Sequence, residues 1–199
     1  FDESCDKEKE LLNKLGENAI SSYVASNKIT NMAIEIILLL GTALSTFVSQ
    51  NYGAKKYDRI KYAIKLVTFI SIACAVVLSI FAYFFGGYLV RFITGITNPQ
   101  IIYNAWLNLV IVIVGAIPLG ILHSVRSSME AMGQRLPSIA SGILELSSKC
   151  VGAIYIIPAL GYIGACITLP IMWVICATFF TVIYLVKRNK LFDKVEINV

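Results

Sequence analysis

Long apolar stretches separated by short polar connections make up most of this 199-residue chain. The clearest stretch is free of charge over the 19 residues from Ile36 to Ala54. An apolar helix of about 20 residues matches the roughly 30 Å hydrocarbon core of a membrane. No segment alternates polar and apolar residues at period two, as half-buried strands do. The pattern therefore predicts an all-α polytopic transmembrane bundle with spans at about 29–51, 62–85, 101–125, 136–157 and 165–186.

Glycine and proline are expected to interrupt several of these stretches. The pair Gly86-Gly87 predicts the end of the second helix, followed by a short interfacial helix and turn over residues 88–100. Residues 158–164 predict a short uncharged turn. Pro118 and Pro170 lie inside the third and fifth spans, where proline bends a membrane helix without breaking the bundle.

The cations are distributed unevenly between the two sides of the predicted bundle. Five of them lie between Lys55 and Lys65, directly after the first span. Arg126 and Arg135 flank the third connection, and four more follow the fifth span, whereas the two remaining connections contain Arg91 alone. Basic connections stay on the cytoplasmic side. We therefore expect a multi-pass protein of the plasma membrane, such as a bacterial or archaeal inner membrane.

Composition agrees with this placement and excludes other classes. The chain is 57% hydrophobic and 15% charged, with a mean hydropathy of +0.75, which does not suit a soluble domain. The net charge of +5 lies beside apolar spans, so we expect contact with the lipid bilayer and none with nucleic acid. No metal-binding cysteine spacing, Ser-His-carboxylate pattern or phosphate loop occurs. We expect no metal site, no disulfide, no cofactor and no enzymatic activity.

Residues 1–18 form a charged segment that cannot cross a bilayer. The sequence predicts this segment as an N-terminal tail or remnant, residues 19–189 as the helix bundle and residues 190–199 as a cytoplasmic tail. The chain does not begin with Met, and five spans place its ends on opposite sides. We therefore expect a preceding helix, and with it an N-terminal half of the same protein, to be missing.

The run ALSTFVSQNYGA, from Ala43 to Ala54, is followed closely by Tyr57-Asp58-Arg59-Ile60. These residues resemble the second helix and cytoplasmic loop in the C-terminal half of multidrug and toxic compound extrusion (MATE) transporters. The resemblance extends from about Leu12 to Asn189. It implies that the chain is the C-terminal lobe of a transporter with two six-helix lobes around a central cavity. Such a transporter is expected to export small organic compounds, often cationic, in exchange for Na⁺ or H⁺.

Two other functions are compatible with the sequence. A flippase for lipid-linked oligosaccharides has a related fold and would need a more cationic cavity and additional spans. A non-transporting membrane remnant or accessory subunit would fit the odd number of spans and the charged N-terminal segment.

Glu145 and Lys149 are the charged residues inside the fourth predicted span, and their i,i+4 spacing allows them to pair directly. An isolated ion in mid-membrane costs about 2.5–3.5 kcal/mol on insertion scales, so each needs a partner or a wet cavity. The surrounding GILELSSK resembles a pattern in this helix of one bacterial MATE branch, with Lys149 in place of Arg. The pair is expected either to hold the lobe together or to serve a coupling ion or substrate.

Other polar residues are candidates for the cavity. Glu35 shares a helical stripe with Asn31, Thr42 and Ser49, and we interpret it as a snorkelling or lobe-internal carboxylate, with a cation-attracting cavity residue as the alternative. Asn104 and Asn108 are expected to line the cavity or to bridge helices. We interpret the single histidine, His123, as an interfacial residue rather than a proton relay. Pro118, Pro170 and Trp173 are interpreted as kinking and packing residues.

Overall fold

The computed structural model describes residues 17–193, with side chains from residue 19 to residue 187. Within that range every regular element is helical, and five helical stretches are long and apolar enough to cross a membrane. The predicted all-α bundle of five spans is therefore confirmed. The elements are α1 (Glu17–Gly53), α2 (Tyr57–Thr94), α3 (Pro99–Ala131), α4 (Arg135–Val151), a π-helical segment (Gly152–Ile156), α5 (Ile157–Leu160) and α6 (Tyr162–Asp193).

Helix α3 is the centre of the bundle and packs against α1, α2 and α6. Helix α4 lies at the side, against α6, and contacts α3 only sparsely. The main core cluster joins four helices through large side chains that are almost fully buried, among them Leu44, Ile60, Met129 and Phe180. Lipid is as apolar as the side chains of membrane helices, so moving those side chains from lipid into the bundle gives no hydrophobic gain. Close packing itself therefore holds the helices together.

Pro170 packs where α6 crosses α3. A Cβ atom added at Gly115 would lie 2.6 Å from the Pro170 ring, so the glycine leaves the space that the ring occupies. Pro118 lies inside the continuous helix α3. Trp173 is 7% exposed and belongs to the main core cluster, as expected of a packing residue.

The predicted break at Gly86-Gly87 is wrong, because α2 continues through both glycines to Thr94. Two glycines cost a helix about 2 kcal/mol relative to alanine. Packing offsets this cost: a Cβ atom at Gly86 would lie 3.0 Å from both Trp106 and Leu109, so the missing side chain lets α3 approach. The helix ends instead at Gly95, whose φ of 68° is the left-handed conformation typical of a glycine cap.

The predicted turn over residues 158–164 is present but shorter than predicted, since Gly161 alone separates α5 from α6. Its φ of 60° and ψ of −134° lie in a region that is open almost only to glycine. Pro158 stays helical because it lies in the first turn of α5, where a missing N–H is tolerated.

Antiparallel helices give the bundle two distinct ends. We call one the basic end: it holds the connections at 54–56 and 132–134 and the last turns of α6. A hydrogen bond of 3.4 Å from Lys187 Nζ to Gln134 Oε1 joins two of these parts. The connection at 95–98 and Gly161 lie at the opposite end. Of the two predicted tails, residues 1–16 and 194–199 lie outside the described residues, whereas residues 190–193 still belong to α6.

Candidate functional site

One face of α1 is polar and exposed along most of the helix. Its residues follow helical spacing and include the stripe predicted around Glu35. We call them the α1 polar stripe: Lys28, Asn31, Glu35, Thr42, Thr46 and Ser49. The hydroxyl groups of Thr42 and Ser49 donate to carbonyls of their own helix, at 3.1 and 2.9 Å. The stripe is therefore a polar surface of α1 and not a contact between helices of this bundle.

Glu35 is the single carboxylate of the stripe. Helix α1 begins earlier than the predicted span, so Glu35 lies at the midpoint of its 37 residues. Among the described residues, no ion pair or hydrogen bond involves the Glu35 side chain, which is exposed. Within the described part of the chain Glu35 is therefore not buried inside the bundle, and its role stays a prediction. At about 1.5 Å per residue α1 is roughly 55 Å long and exceeds the hydrocarbon core of roughly 30 Å, so snorkelling of Glu35 stays a prediction.

Glu145 pairs with a residue from another helix. Its Oε1 accepts a hydrogen bond of 2.9 Å from Nη1 of Arg126, in the last turns of α3. Nε of the same guanidinium lies 3.1 Å from Glu130 Oε1, and the Ser138 hydroxyl of α4 also donates to that oxygen. We call these four residues the Arg126 network. The network fastens α4 to α3 near the basic end, where the two helices otherwise contact each other little.

Arg126 was not among the predicted site residues. The sequence identifies Arg126 only as a cation of the connection, because 19 positions separate it from Glu145 and no local spacing relates the two. A usable signal was its i,i+4 spacing to Glu130, which places a charged pair inside the end of a helix.

Lys149 lies on the same face as Glu145, one turn farther from the basic end, and its side chain is half-buried. Its direct pairing with Glu145 stays a prediction. The π-helical segment begins three residues later, at Gly152. Short π-helical segments inside longer helices are frequent at functional sites.

Asn108 bridges two helices. The side chain is fully buried, and its Nδ2 donates a hydrogen bond of 2.6 Å to Ser26 Oγ of α1. Ser26 in turn donates to the Tyr23 carbonyl at 2.9 Å. Within the described part of the chain, Asn108 Oδ1 has no hydrogen-bond partner. Of the two roles expected for Asn108, the geometry favours bridging.

Asn104 lies one turn away from Asn108 and is half-buried. Its backbone carbonyl accepts a hydrogen bond of 3.0 Å from the Tyr162 hydroxyl at the start of α6. The backbone at Asn104 thus joins α3 to α6 near the opposite end. Lining of a cavity by the Asn104 side chain stays a prediction.

His123 also joins α1 to α3. Its Nε2 lies 3.1 Å from the Leu38 carbonyl, which can only accept, so Nε2 carries the proton. The imidazole occupies the space beside Gly41, where an added Cβ atom would lie 2.1 Å from its Cδ2. This contact fits a packing role and places His123 between helices.

Comparison with known proteins identifies both a family and a relative. The family model described as MatE matches residues 11–154. A protein of Bacillus subtilis (strain 168), named "Probable multidrug resistance protein YoeA", is 27% identical over 132 residues. That alignment covers 66% of this chain and 28% of the relative, so the chain spans less than a third of the length of the relative it matches.

Proposed function

Because this multi-pass membrane protein belongs to the MatE family, we propose that it is one lobe of a transporter that exports small organic, often cationic, compounds in exchange for Na⁺ or H⁺. A second lobe of similar architecture would supply the other wall of the transport cavity. Transporters of this kind bind substrate near the middle of the membrane, at the interface between such repeats.

The observation that carries the proposal is the exposed, unpaired Glu35 at the midpoint of α1. Glu35 lies inside the span predicted at about 29–51, where an ionised carboxylate that faces lipid costs up to about 2.5–3.5 kcal/mol. Polar residues above and below Glu35 on the same face add to this cost. The α1 polar stripe therefore suits a water-filled cavity, with Glu35 as the charge that attracts a cationic substrate or the coupling cation.

The rest of the bundle suits a lobe that moves as one body. The Arg126 network ties the side helix α4 to the central helix α3, and Asn108 and His123 tie α1 to the same helix. Alternating access needs the two lobes to rock against each other without coming apart internally. We propose a structural role for these three contacts and a transport role for Glu35.

The proposed orientation places the basic end in the cytoplasm, in the plasma membrane of a bacterium or archaeon. The basic end carries most of the basic residues of the described chain, five of them in the stretch from Lys55 to Lys65. Basic connections resist translocation, which supports this orientation.

The flippase alternative gains no support from the stripe. A carrier of lipid-linked oligosaccharides would need a cationic wall for the phosphate groups, whereas the α1 polar stripe has one cation, Lys28, and one carboxylate, Glu35. Cationic organic compounds suit this face better.

Transport assays of the transporter assembled from this chain and its second lobe test the proposal. Glu35→Gln should lower efflux of a permanently cationic dye by about tenfold, or about 1.4 kcal/mol, which a single pair of opposite charges can supply. Glu35→Asp should retain part of the activity. Asp58→Asn is the matched control, because the Asp58 side chain is fully exposed in the first turn of α2, at the basic end. Unchanged efflux by the Glu35→Gln variant would show that the charge of Glu35 has no role in transport.

A further inference from the structure

A groove opens at the opposite end of the bundle, between the last turns of α2 and the first turns of α3. Its volume is about 520 Å³, within the range of about 300–1,000 Å³ that small-molecule sites occupy. Four aromatic residues contribute to its wall, and one cation lies at its edge. The residues used below are Phe84, Tyr88, Arg91, Ile102, Tyr103 and Trp106.

The wall of the groove is built and held in place. Trp106 Nε1 donates a hydrogen bond of 3.1 Å to the Tyr83 carbonyl, which satisfies the polar edge of the indole. The same edge of the indole, at Cδ1, lies against Gly86, and the indole centroid lies 5.8 Å from the ring centroid of Tyr103. The indole therefore presents a fixed apolar surface to whatever fills the groove.

Aromatic side chains at this end remain exposed, with Tyr88 77% and Phe84 67% accessible. Tyr and Trp are enriched where a protein crosses the boundary between hydrocarbon and headgroups. The exposed aromatic residues of the groove fit this boundary, where lipid headgroups meet the acyl chains.

Arg91 is exposed at the edge of this groove, and its guanidinium makes no ion pair with any described residue. No Asp or Glu occurs anywhere from Arg59 to Met129, so the α2–α3 hairpin contains no counter-ion for it. A guanidinium next to an apolar groove complements a ligand with an anionic head and a hydrocarbon tail.

We propose that this groove binds an anionic phospholipid from the leaflet at the opposite end of the bundle. Its phosphate lies on Arg91, and one acyl chain runs along Phe84, Ile102 and Trp106. A cationic substrate is disfavoured here, because Arg91 would repel it. The site is separate from the α1 polar stripe and does not depend on the proposed transport function.

Tryptophan fluorescence of the chain in vesicles tests the proposal. The chain has two tryptophans, so Trp173→Phe leaves Trp106 as its single indole. Brominated lipids quench an indole they contact. Brominated phosphatidylglycerol, added as a minor component, should quench Trp106 more strongly than the same amount of brominated phosphatidylcholine. The difference should correspond to an enrichment of phosphatidylglycerol at the groove of about fivefold, because one cation contributes about that factor to binding at an anionic surface.

Variants of Arg91 separate charge from packing. Arg91→Gln should abolish the preference for phosphatidylglycerol, and Arg91→Lys should keep most of it. Arg59→Gln is the control, because Arg59 is an exposed arginine at the basic end. Equal quenching by the two lipids in the parent protein would reduce the groove to an ordinary aromatic belt and overturn the proposal, as would a preference that survives Arg91→Gln.

A second measurement avoids the Trp173 substitution. Native mass spectrometry of the unaltered chain, released from a mixture of the two lipids, should show a retained phosphatidylglycerol molecule. The Arg91→Gln variant should lose it, and the Arg59→Gln variant should not. Retention of both lipids in equal amounts would contradict the proposal.

Discussion

The guanidinium of Arg126 lies 2.9 Å from the carboxylate of Glu145, and this ion pair joins the central helix α3 to the side helix α4. The side chains are 31% and 20% exposed, so water screens the pair only in part. Helix α4 makes few other contacts with α3, and the pair therefore has an unusual share in holding α4 on the bundle.

Removing either partner of this pair should loosen α4. Glu145→Gln or Arg126→Met should each destabilise the protein by about 1–3 kcal/mol, because the remaining group keeps its desolvation cost without its partner. The double variant should recover part of the loss. Thermal unfolding in detergent measures the effect, with Asp58→Asn as an exposed control. Losses that simply add in the double variant would mean that the two residues act independently.

The same comparison with Lys149→Met tests the second possible partner of Glu145. Since Arg126 contacts Glu145 directly, the coupling energy of the Arg126 pair should exceed that of the Lys149 pair. A larger coupling to Lys149 would show that the i,i+4 pair within α4 dominates and that the contact to α3 is secondary.

Gly41 should tolerate no side chain while His123 occupies its place. In Gly41→Ala the new Cβ would collide with the imidazole, so we expect a loss of about 1–3 kcal/mol from overpacking. Gly142→Ala is the matched control, because nothing lies within 4 Å of its added Cβ. That control should be neutral or gain up to about 1 kcal/mol of helix propensity.

His123→Ala on the Gly41→Ala background should restore much of the stability, because it removes the collision. The measurement is the unfolding temperature of the parent, of Gly41→Ala, of Gly142→Ala and of the double variant. A Gly41→Ala protein as stable as the parent would show that α1 and α3 can separate here without cost.

Thiol labelling in intact cells checks the proposed orientation. After the native cysteines are replaced, a cysteine at Lys56 should resist a membrane-impermeant reagent, and a cysteine at Thr97 should react. Both positions are exposed and belong to opposite ends of the bundle. Labelling of Lys56→Cys from outside would show that the basic end faces outward, opposite to the proposed orientation.

This chain expressed alone should not change the accumulation of a cationic dye. In the proposed function the α1 polar stripe is one wall of the transport cavity, and alternating access requires a second wall that moves against it. Dye accumulation in cells with and without the chain is the measurement. Efflux that stops when the ion gradient is dissipated would instead imply that copies of this chain assemble into a working transporter.

Much of the fold follows from the sequence, because hydropathy and charge act locally. Nineteen uncharged residues after Glu35 already require a membrane helix, and the cations that follow indicate its side. The run from Ala43 to Ala54 pointed to the family that the comparison supports. The stripe containing Glu35 was also visible as a helical repeat of polar residues.

Packing between distant segments decided the rest. The low helix propensity of glycine predicts a break at Gly86, yet Trp106 and Leu109 fill the space beside it and α2 is continuous. The partner of Glu145 lies 19 residues away on another helix, so no local spacing could identify it. Whether a polar helix face is buried in the bundle or exposed on its surface depends on where the neighbouring helices lie. The sequence therefore determined which residues of α1 share a face, and only the tertiary structure decided that Glu35 on that face is exposed and unpaired among the described residues.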